Sequence, residues 1–195
     1  MKRLNMIKIV FGVFLLVSSE LCAISNLGKV GECFLNAGVC YMSRTAGNYV
    51  YVGCTYGLMI LEVSDSSQPV LAGSYLTTNP CRALEIQGDY VYLAGDDYYL
   101  TILDISNPHH PVVASECEYP EYLSYACTIE IQGDHLFVGG SYNHSNLCII
   151  DISDPFDPLV VNYDDSGIYR DFAINGNSDS SFSSIKICVN GVAKI

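Results

Sequence analysis

The sequence contains three similar segments, and this repetition restricts the possible fold more than any other feature. Each segment is an apolar run that ends in an acid and continues through a Ser-Asx turn to a proline. The segments are Gly57 to Asp65 closing at Pro69, Leu100 to Pro108 closing at Pro111, and Leu147 to Pro155 closing at Pro158. A second marker, Gly-Asn or Gly-Asp before a short apolar strand, begins at Gly47, Gly88, Gly133 and Gly176, at spacings of 41, 45 and 43 residues. A regular period of this length predicts stacked units instead of one irregular core.

Each unit is predicted to hold four short strands. In the second unit these are strand A at Val70–Tyr75, strand B at Arg82–Gln87, strand C at Tyr90–Ala94 and strand D at Leu100–Ile105. The strands are rich in Val, Ile, Leu and Tyr and are bounded by Gly, Asp, Asn and Pro. The Gly-Asn and Gly-Asp pairs between strands B and C favour a tight hairpin turn.

The strands are apolar on both faces. In strand D of the second unit, Leu100 and Ile102 point to one side while Leu103 and Ile105 point to the other. A strand in a two-layer sandwich alternates apolar with polar residues, whereas a sheet buried on both faces lies between neighbouring sheets. We therefore predict an all-β, β-propeller-like array of four-stranded blades, with a linear β-solenoid as the alternative.

The two alternating motifs resemble LVIVD repeats. The runs Leu-Met-Ile-Leu-Glu, Leu-Thr-Ile-Leu-Asp and Leu-Cys-Ile-Ile-Asp and the Gly-Asn/Asp-Tyr-Val-Tyr-Val markers carry the resemblance, which covers about residues 27 to 176. The resemblance implies an exported or cell-surface propeller of bacteria or archaea, and it implies no catalytic residues.

The pattern changes near the end of the sequence. After Gly176-Asn177 a Ser-rich stretch replaces the apolar marker strand, so we expect about three blades and a partial fourth. The remaining blades would come from another chain, or the sequence is a truncated product of a longer gene. An open arc would expose apolar faces at both ends and could self-associate through its open edges.

The first 25 residues are predicted to be a secretory signal. Lys2, Arg3 and Lys8 precede the apolar run Ile9–Val17, and small and polar residues follow. The run is far shorter than the ~20 residues that span a bilayer, so we predict no membrane span. Lipidation at Cys22 is a weaker alternative. We thus divide the chain into a signal at 1–25 and propeller repeats at 26–195, and expect a secreted, periplasmic or cell-surface protein.

Net charge and cysteine content narrow the partners and the chemistry. The formal net charge of −12 argues against a nucleic-acid partner. Eight cysteines follow the signal. Formation of at least one disulfide and packing as small buried thiols are equal alternatives, and the pairing of any disulfide is left open. Enzyme motifs and cofactor fingerprints are absent from the sequence, so we predict no cofactor and favour a non-enzymatic role.

Loop lengths separate the two rims of the array. From strand D to the closing proline the distance is 11 residues in all three units, so we call the rim with the B–C and D–A turns the architectural rim. The distance from the marker glycine to strand D is 11, 12 and 14 residues in the three units. The distance to the next marker glycine is 14 residues from Cys33, 13 from Tyr75 and 16 from Cys117. We call the rim with these C–D and A–B loops the variable rim, because binding loops tolerate such variation.

The variable rim is rich in tyrosine and acids. Tyrosine offers flat amphipathic surface for a protein, peptide or glycan, and neighbouring carboxylates could hold a cation or a basic ligand. A solvated loop face is an equal alternative. The candidate ligand-binding residues are Asp96, Asp97, Tyr98, Tyr99, Tyr119, Glu121, Tyr122, Tyr125, Tyr142, Asn143 and His144.

Three further groups have weaker functional interpretations. Glu62, Asp104 and Asp151 recur at one position, and we expect each carboxylate to accept backbone N–H groups at its turn and not to form a metal or catalytic ring. His109-His110 is expected to be an exposed turn pair, and Cys40, Cys81 and Cys127 to pack in the core.

The favoured function is an exported binding module for a protein, peptide or glycan at the cell surface. One alternative is a hydrolase or lyase that uses Asp96, Asp97, Glu121 or His144 as acid and base. The other is a structural assembly piece.

Overall fold

The computed structural model describes residues 38–96, 98–118, 125–140 and 147–164, together with the backbone of three later strands. Every regular element in these ranges is a β-strand. The strands are β1 Cys40–Ala46, β2 Tyr49–Cys54, β3 Gly57–Glu62, β4 Val70–Leu76, β5 Cys81–Gln87, β6 Tyr90–Gly95, β7 Tyr99–Asp104, β8 Val112–Glu118, β9 Ala126–Gln132, β10 His135–Gly140, β11 Leu147–Asp151, β12 Leu159–Asp164, β13 Phe172–Asn175, β14 Lys186–Val189 and β15 Val192–Lys194.

The strands form successive antiparallel sheets in chain order. Three sheets have four strands, β1 to β4, β5 to β8 and β9 to β12, and a fourth sheet contains β13 to β15. Each strand pairs with its neighbour along the chain, so every sheet is a simple meander. This is the predicted β-propeller-like array of three blades plus a partial fourth.

The assignment of strand A to the second unit was wrong. Val70–Leu76 pairs with β3, with Glu62 opposite Val70 and Gly57 opposite Leu76, and so ends the first sheet. In the turn before β4, the Gln68 amide donates a hydrogen bond to the Asp65 carbonyl (3.0 Å). This turn reverses the chain, so that β4 runs antiparallel to β3. The link at residues 77–80 ends at Pro80, which has no N–H to continue a ladder. Because β4 belongs to the first sheet and β5 to the second, this link crosses between sheets.

The predicted hairpin turns are confirmed. Gly47, Gly88 and Gly133 have φ angles of 56°, 59° and 58°, in the left-handed region that glycine adopts without steric cost. Each turn sets the register of the two strands beside it, as in the pairing of Ala46 with Tyr49.

Apolar contacts between sheets form the core. We call the side of a sheet that faces the next sheet its forward face, and the opposite side its rear face. The forward face of the first sheet contributes Tyr51, Leu58 and Ile60 to a buried cluster with Leu93 and Leu103, from the rear face of the second sheet. The second and third sheets meet in the same way. The prediction that the strands are buried on both faces is confirmed for the two middle strands of each four-stranded sheet, whereas the last strands β4, β8 and β12 are largely exposed.

The first strand of each sheet is the innermost strand of the array. The most extensive contacts between sheets are those of β1 with β5 and of β5 with β9. At the first of these, the Leu84 amide donates to the Met42 sulfur (3.3 Å), and Arg44 Nε donates to Glu85 Oε2 (2.8 Å). The strand that lines the central axis could not be assigned from the sequence.

Several cysteines pack as small apolar residues. Cys54, Cys117 and Cys148 are buried, and burial raises the pKa of each thiol, that of Cys148 to about 12. A buried thiol with a raised pKa has little thiolate at neutral pH and is chemically inert. No apolar helix of membrane-spanning length occurs in the part of the chain that the structure describes.

Candidate binding rim

The two rims lie where the sequence placed them, although the strand assignment changed. The β1–β2 and β3–β4 turns lie at one end of the first sheet, because the sheet is a meander. The β2–β3 turn and the link at residues 77–80 lie at the opposite end. That end is the variable rim, and the link now joins two sheets instead of two strands of one sheet.

The recurring acids of the architectural rim stabilise their own turns. The Ser106 amide donates to Asp104 Oδ1 (2.8 Å), the Ser153 amide donates to Asp151 Oδ1 (2.9 Å), and the Ser64 hydroxyl donates to Glu62 Oε1 (2.8 Å). Hydrogen bonds from the following serine hold the pKa of Asp104 and of Asp151 below its usual value. The expected role, in which the carboxylate accepts a backbone N–H of its turn, is confirmed for Asp104 and Asp151, while Glu62 accepts the Ser64 hydroxyl instead. Among the described residues no group of three or more candidate metal ligands is present.

The architectural rim also contacts the preceding sheet. His109 Nδ1 lies 3.2 Å from the Ala72 carbonyl oxygen, and its ring meets that of Tyr49 edge-on. At the next junction the Ser115 hydroxyl donates to the Pro155 carbonyl (2.6 Å). His109 is exposed, as expected, but it also connects two sheets, so this rim is built for packing.

An open pocket of about 430 Å³ lies on the variable rim. It is located between the end of β4, the link to β5 and the strands β7 and β8. Three of the predicted residues line it, namely Asp96, Tyr98 and Tyr99. The other lining residues are Tyr75, Leu76, Thr77, Thr78, Asn79, Thr101 and Glu116.

Asp96 forms an ion pair at the wall of this pocket. Arg82 Nη2 donates to Asp96 Oδ2 (2.7 Å), and Arg82 Nε donates to Asp96 Oδ1. The Arg82 guanidinium also lies 4.8 Å from the centre of the Tyr41 ring. The hydrogen bond to Asp96 raises the pKa of Arg82. The bidentate pair holds the Asp96 carboxylate, which therefore supports the pocket wall and is a poor candidate for a general base.

Glu116 gives the pocket a negative charge. It is exposed on β8, and no described residue forms an ion pair with it. Burial, and next the charge of Glu116, raise the pKa of Tyr75, which shares the pocket. Tyr98 and Tyr99 are 46% and 42% exposed, so ring surface is open to a ligand. The arrangement favours a cation or a hydrogen-bond donor over an anion.

Tyr125 lies on the same rim but not in the pocket. It precedes β9 with φ 66°, a backbone region that residues other than glycine rarely adopt and that is found at functional and strained sites. Tyr125 is also among the smaller electrostatic causes of the raised pKa of Arg82. The remaining predicted residues lie outside the described residues; these are Asp97, Tyr119, Glu121, Tyr122, Tyr142, Asn143 and His144.

Sequence reasoning missed most of the pocket lining. Tyr75 lies on β4, the last strand of the first sheet, and Glu116 lies on β8, the last strand of the second. Thr77 to Asn79 belong to the link between β4 and β5. The available signal was the alignment of Tyr75 with Cys117, which marked the ends of equivalent strands next to the loops of variable length.

Fold and rim together define a β-propeller-like repeat protein with a regular, packed rim and an irregular rim that carries an open pocket. The LVIVD repeat family model matches three stretches, residues 45–77, 81–118 and 124–165, which together exceed half of the chain. The chain belongs to the LVIVD repeat family, as the motifs indicated. No curated protein sequence matches it.

Proposed function

We propose that this chain is an exported, non-enzymatic binding module that holds a cationic group of a protein or peptide partner in the pocket of the variable rim. The observation that carries the proposal is the pocket itself, where the exposed rings of Tyr98 and Tyr99 lie beside the carboxylate of Glu116. Export is supported by the basic, apolar and polar order of residues 1–25.

The energetics of the pocket favour a cation. A cation over an exposed aromatic ring gains about 0.5–1 kcal/mol, and more where water is excluded. The carboxylate of Glu116 adds a second attraction, and the net charge of −12 steers cationic partners towards the molecule. A hydrolase or lyase has less support, because Asp96, one of its candidate acids, is held by Arg82.

The test is capture on a peptide array. Otherwise identical peptides carry lysine, trimethyl-lysine, arginine, norleucine or glutamate at the central position. We expect the three cationic peptides to bind about fivefold more protein than the norleucine peptide, a ratio that corresponds to about 1 kcal/mol. Glu116→Gln and the double variant Tyr98→Ala/Tyr99→Ala should each reduce this ratio.

Asp157→Asn is the matched control, since it removes one acid from the exposed β11–β12 turn on the architectural rim. It should leave the ratio unchanged. Equal capture of lysine and norleucine peptides would reject the proposal. It would also be rejected if the preference for cationic peptides were unchanged in Glu116→Gln and in Tyr98→Ala/Tyr99→Ala.

A further inference from the structure

Two cysteines face each other across the first pair of strands. Cys40, the first residue of β1, lies opposite Cys54, the last residue of β2. Next to them, the Thr55 amide donates to the Val39 carbonyl (2.9 Å). In an antiparallel pair, this bond makes Val39 and Thr55 a hydrogen-bonded pair and the neighbouring cysteines a non-hydrogen-bonded one. Facing Cα atoms of that kind are only about 4.5 Å apart, inside the range that a disulfide spans.

A β-bulge turns Cys40 towards the face of the sheet that Cys54 occupies. The register of β1 against β2 shifts between Cys40 and Met42, so Tyr41 is the extra residue. Met42 packs into the cluster on the forward face, and strict alternation would place Cys40 on that face as well. The extra residue reverses the alternation, and Cys40 packs against the cluster that contains Cys54 on the rear face.

The cluster around the two cysteines is buried. Val50, Val52 and Leu61 are 4%, 2% and 0% exposed, and Cys54 is fully buried among them. The sequence predicted an exposed apolar face at this end of the array, and for these residues that expectation is wrong. A disulfide in such a place is protected from reductants in solution, since exposed disulfides are the labile ones.

The facing cysteines are specific to the first sheet among the three four-stranded sheets that the structure describes. In the second sheet Cys81 lies opposite Gly95, and in the third Ala126 lies opposite Gly140. Glycine fills the position of Cys54 in both, so the fold itself does not require a thiol there.

We propose that Cys40 and Cys54 form a disulfide that joins β1 to β2 at the variable rim. Each thiol gives up its proton, and the two sulfurs together give up two electrons as the S–S bond forms. A low-molecular-weight disulfide of the glutathione type accepts the electrons, its own S–S bond breaks, and it leaves as two thiols. Cys40 is the more exposed of the two and forms the mixed disulfide, from which Cys54 displaces the second thiol. Because burial makes the Cys54 thiol inert in the folded chain, this exchange takes place during folding.

The disulfide anchors the start of β1, where the chain enters the first sheet. Tyr41 follows Cys40 directly, and its ring lies 4.8 Å from the Arg82 guanidinium of the second sheet. The bond therefore fixes the bulge that holds Tyr41 against Arg82. A cross-link of this kind stabilises a protein mainly by restricting its unfolded chain.

The test is refolding of the full chain from urea in a glutathione redox buffer. Remaining thiols are then alkylated, and the chain is digested with chymotrypsin without reduction. Cleavage after Phe34, Tyr41, Tyr51 and Tyr56 isolates Cys40 in residues 35–41 and Cys54 in residues 52–56. Mass spectrometry should find these two peptides linked about tenfold or more above any other link of residues 35–41, because only facing cysteines meet the distance limit. A chain kept in urea should show no such preference.

The melting temperature gives a second measurement. Reductant should lower it by about 5 °C or more in the refolded chain, and by less in Cys40→Ser. Cys127→Ser is the matched control, because Cys127 lies at the start of β9, the equivalent strand of the third sheet. It should retain both the link and the full effect of reductant.

Three outcomes overturn the proposal. One is a preferred link from Cys40 to another cysteine, and the second is alkylation of both Cys40 and Cys54 in a chain that melts cooperatively. The third is an effect of reductant on Cys40→Ser that is as large as its effect on the original protein.

Discussion

Gly73 lies directly beneath the carbonyl of Pro108, where the architectural rim of the second sheet meets the last strand of the first. A Cβ atom at this position would overlap the Pro108 carbonyl oxygen. The equivalent Ser115 meets Pro155 through a hydrogen bond instead, so the two junctions have different spacings. One residue position therefore sets how closely neighbouring sheets pack at this rim.

We predict that Gly73→Ala destabilises the protein by about 1–3 kcal/mol, the usual cost of forcing extra atoms into a packed contact. Thermal denaturation measures the change. Gly133→Ala is the comparison, because a Cβ atom there meets nothing within 4 Å and only the φ angle of 58° opposes it. A Gly73→Ala variant as stable as the original protein would show that the sheets separate freely at this junction.

At the scale of elements, apolar side chains contribute most of the attraction between sheets. Leu84 of β5 is fully buried against the first sheet. The ion pair of Arg44 with Glu85 joins the same two strands, but its side chains are 34% and 20% exposed. An ion pair that solvent can reach is screened and adds little to stability.

We therefore expect Leu84→Ala to cost about 2–5 kcal/mol, the range found for a buried leucine whose removal leaves a cavity. Arg44→Gln should cost less than about 1 kcal/mol. Chemical denaturation of both variants compares the two contributions directly. A larger loss for Arg44→Gln would show that charge pairing, and not apolar packing, joins the first two sheets.

At the scale of the whole molecule, the buried core couples stability to alkaline pH. Tyr92 and Cys148 belong to the cluster between the second and third sheets. Burial, as the largest cause, raises the pKa of Tyr92 from 10.0 to about 12 and that of Cys148 from 9.0 to about 12. The unfolded chain releases these protons at lower pH than the folded chain, so stability is retained below pH 9 and is lost progressively between pH 9 and pH 12.

We predict that the melting temperature falls as pH rises from 8 to 11 and that Tyr92→Phe makes this fall smaller. The tyrosine contributes about 1 kcal/mol of the loss at pH 11, since the unfolded side chain is then mostly ionised. Tyr56→Phe removes an exposed hydroxyl and serves as the control. An identical pH profile for the original protein and Tyr92→Phe would contradict the assignment.

Much of the fold could be predicted because its signals are local. The Gly-Asn and Gly-Asp turns, the prolines and the strands with two apolar faces depend on neighbouring residues only. Among the described residues, the structure contains the turns at Gly47, Gly88 and Gly133 and the strands on either side of them. The turn role of Asp104 was predictable for the same reason, since its partner Ser106 is two residues away. Burial on both faces led from these strands to stacked sheets.

The sequence by itself determined the repeating strands, their turns, the division into two rims and the family. The tertiary structure alone decided that Val70–Leu76 pairs with β3, because a strand between two sheets has two possible partners and the path of the links selects one. It also assembled the pocket from Tyr75, Tyr98 and Glu116, which come from three segments. Local patterns encode strands and turns, whereas a surface shared by two sheets exists only after those sheets have packed together.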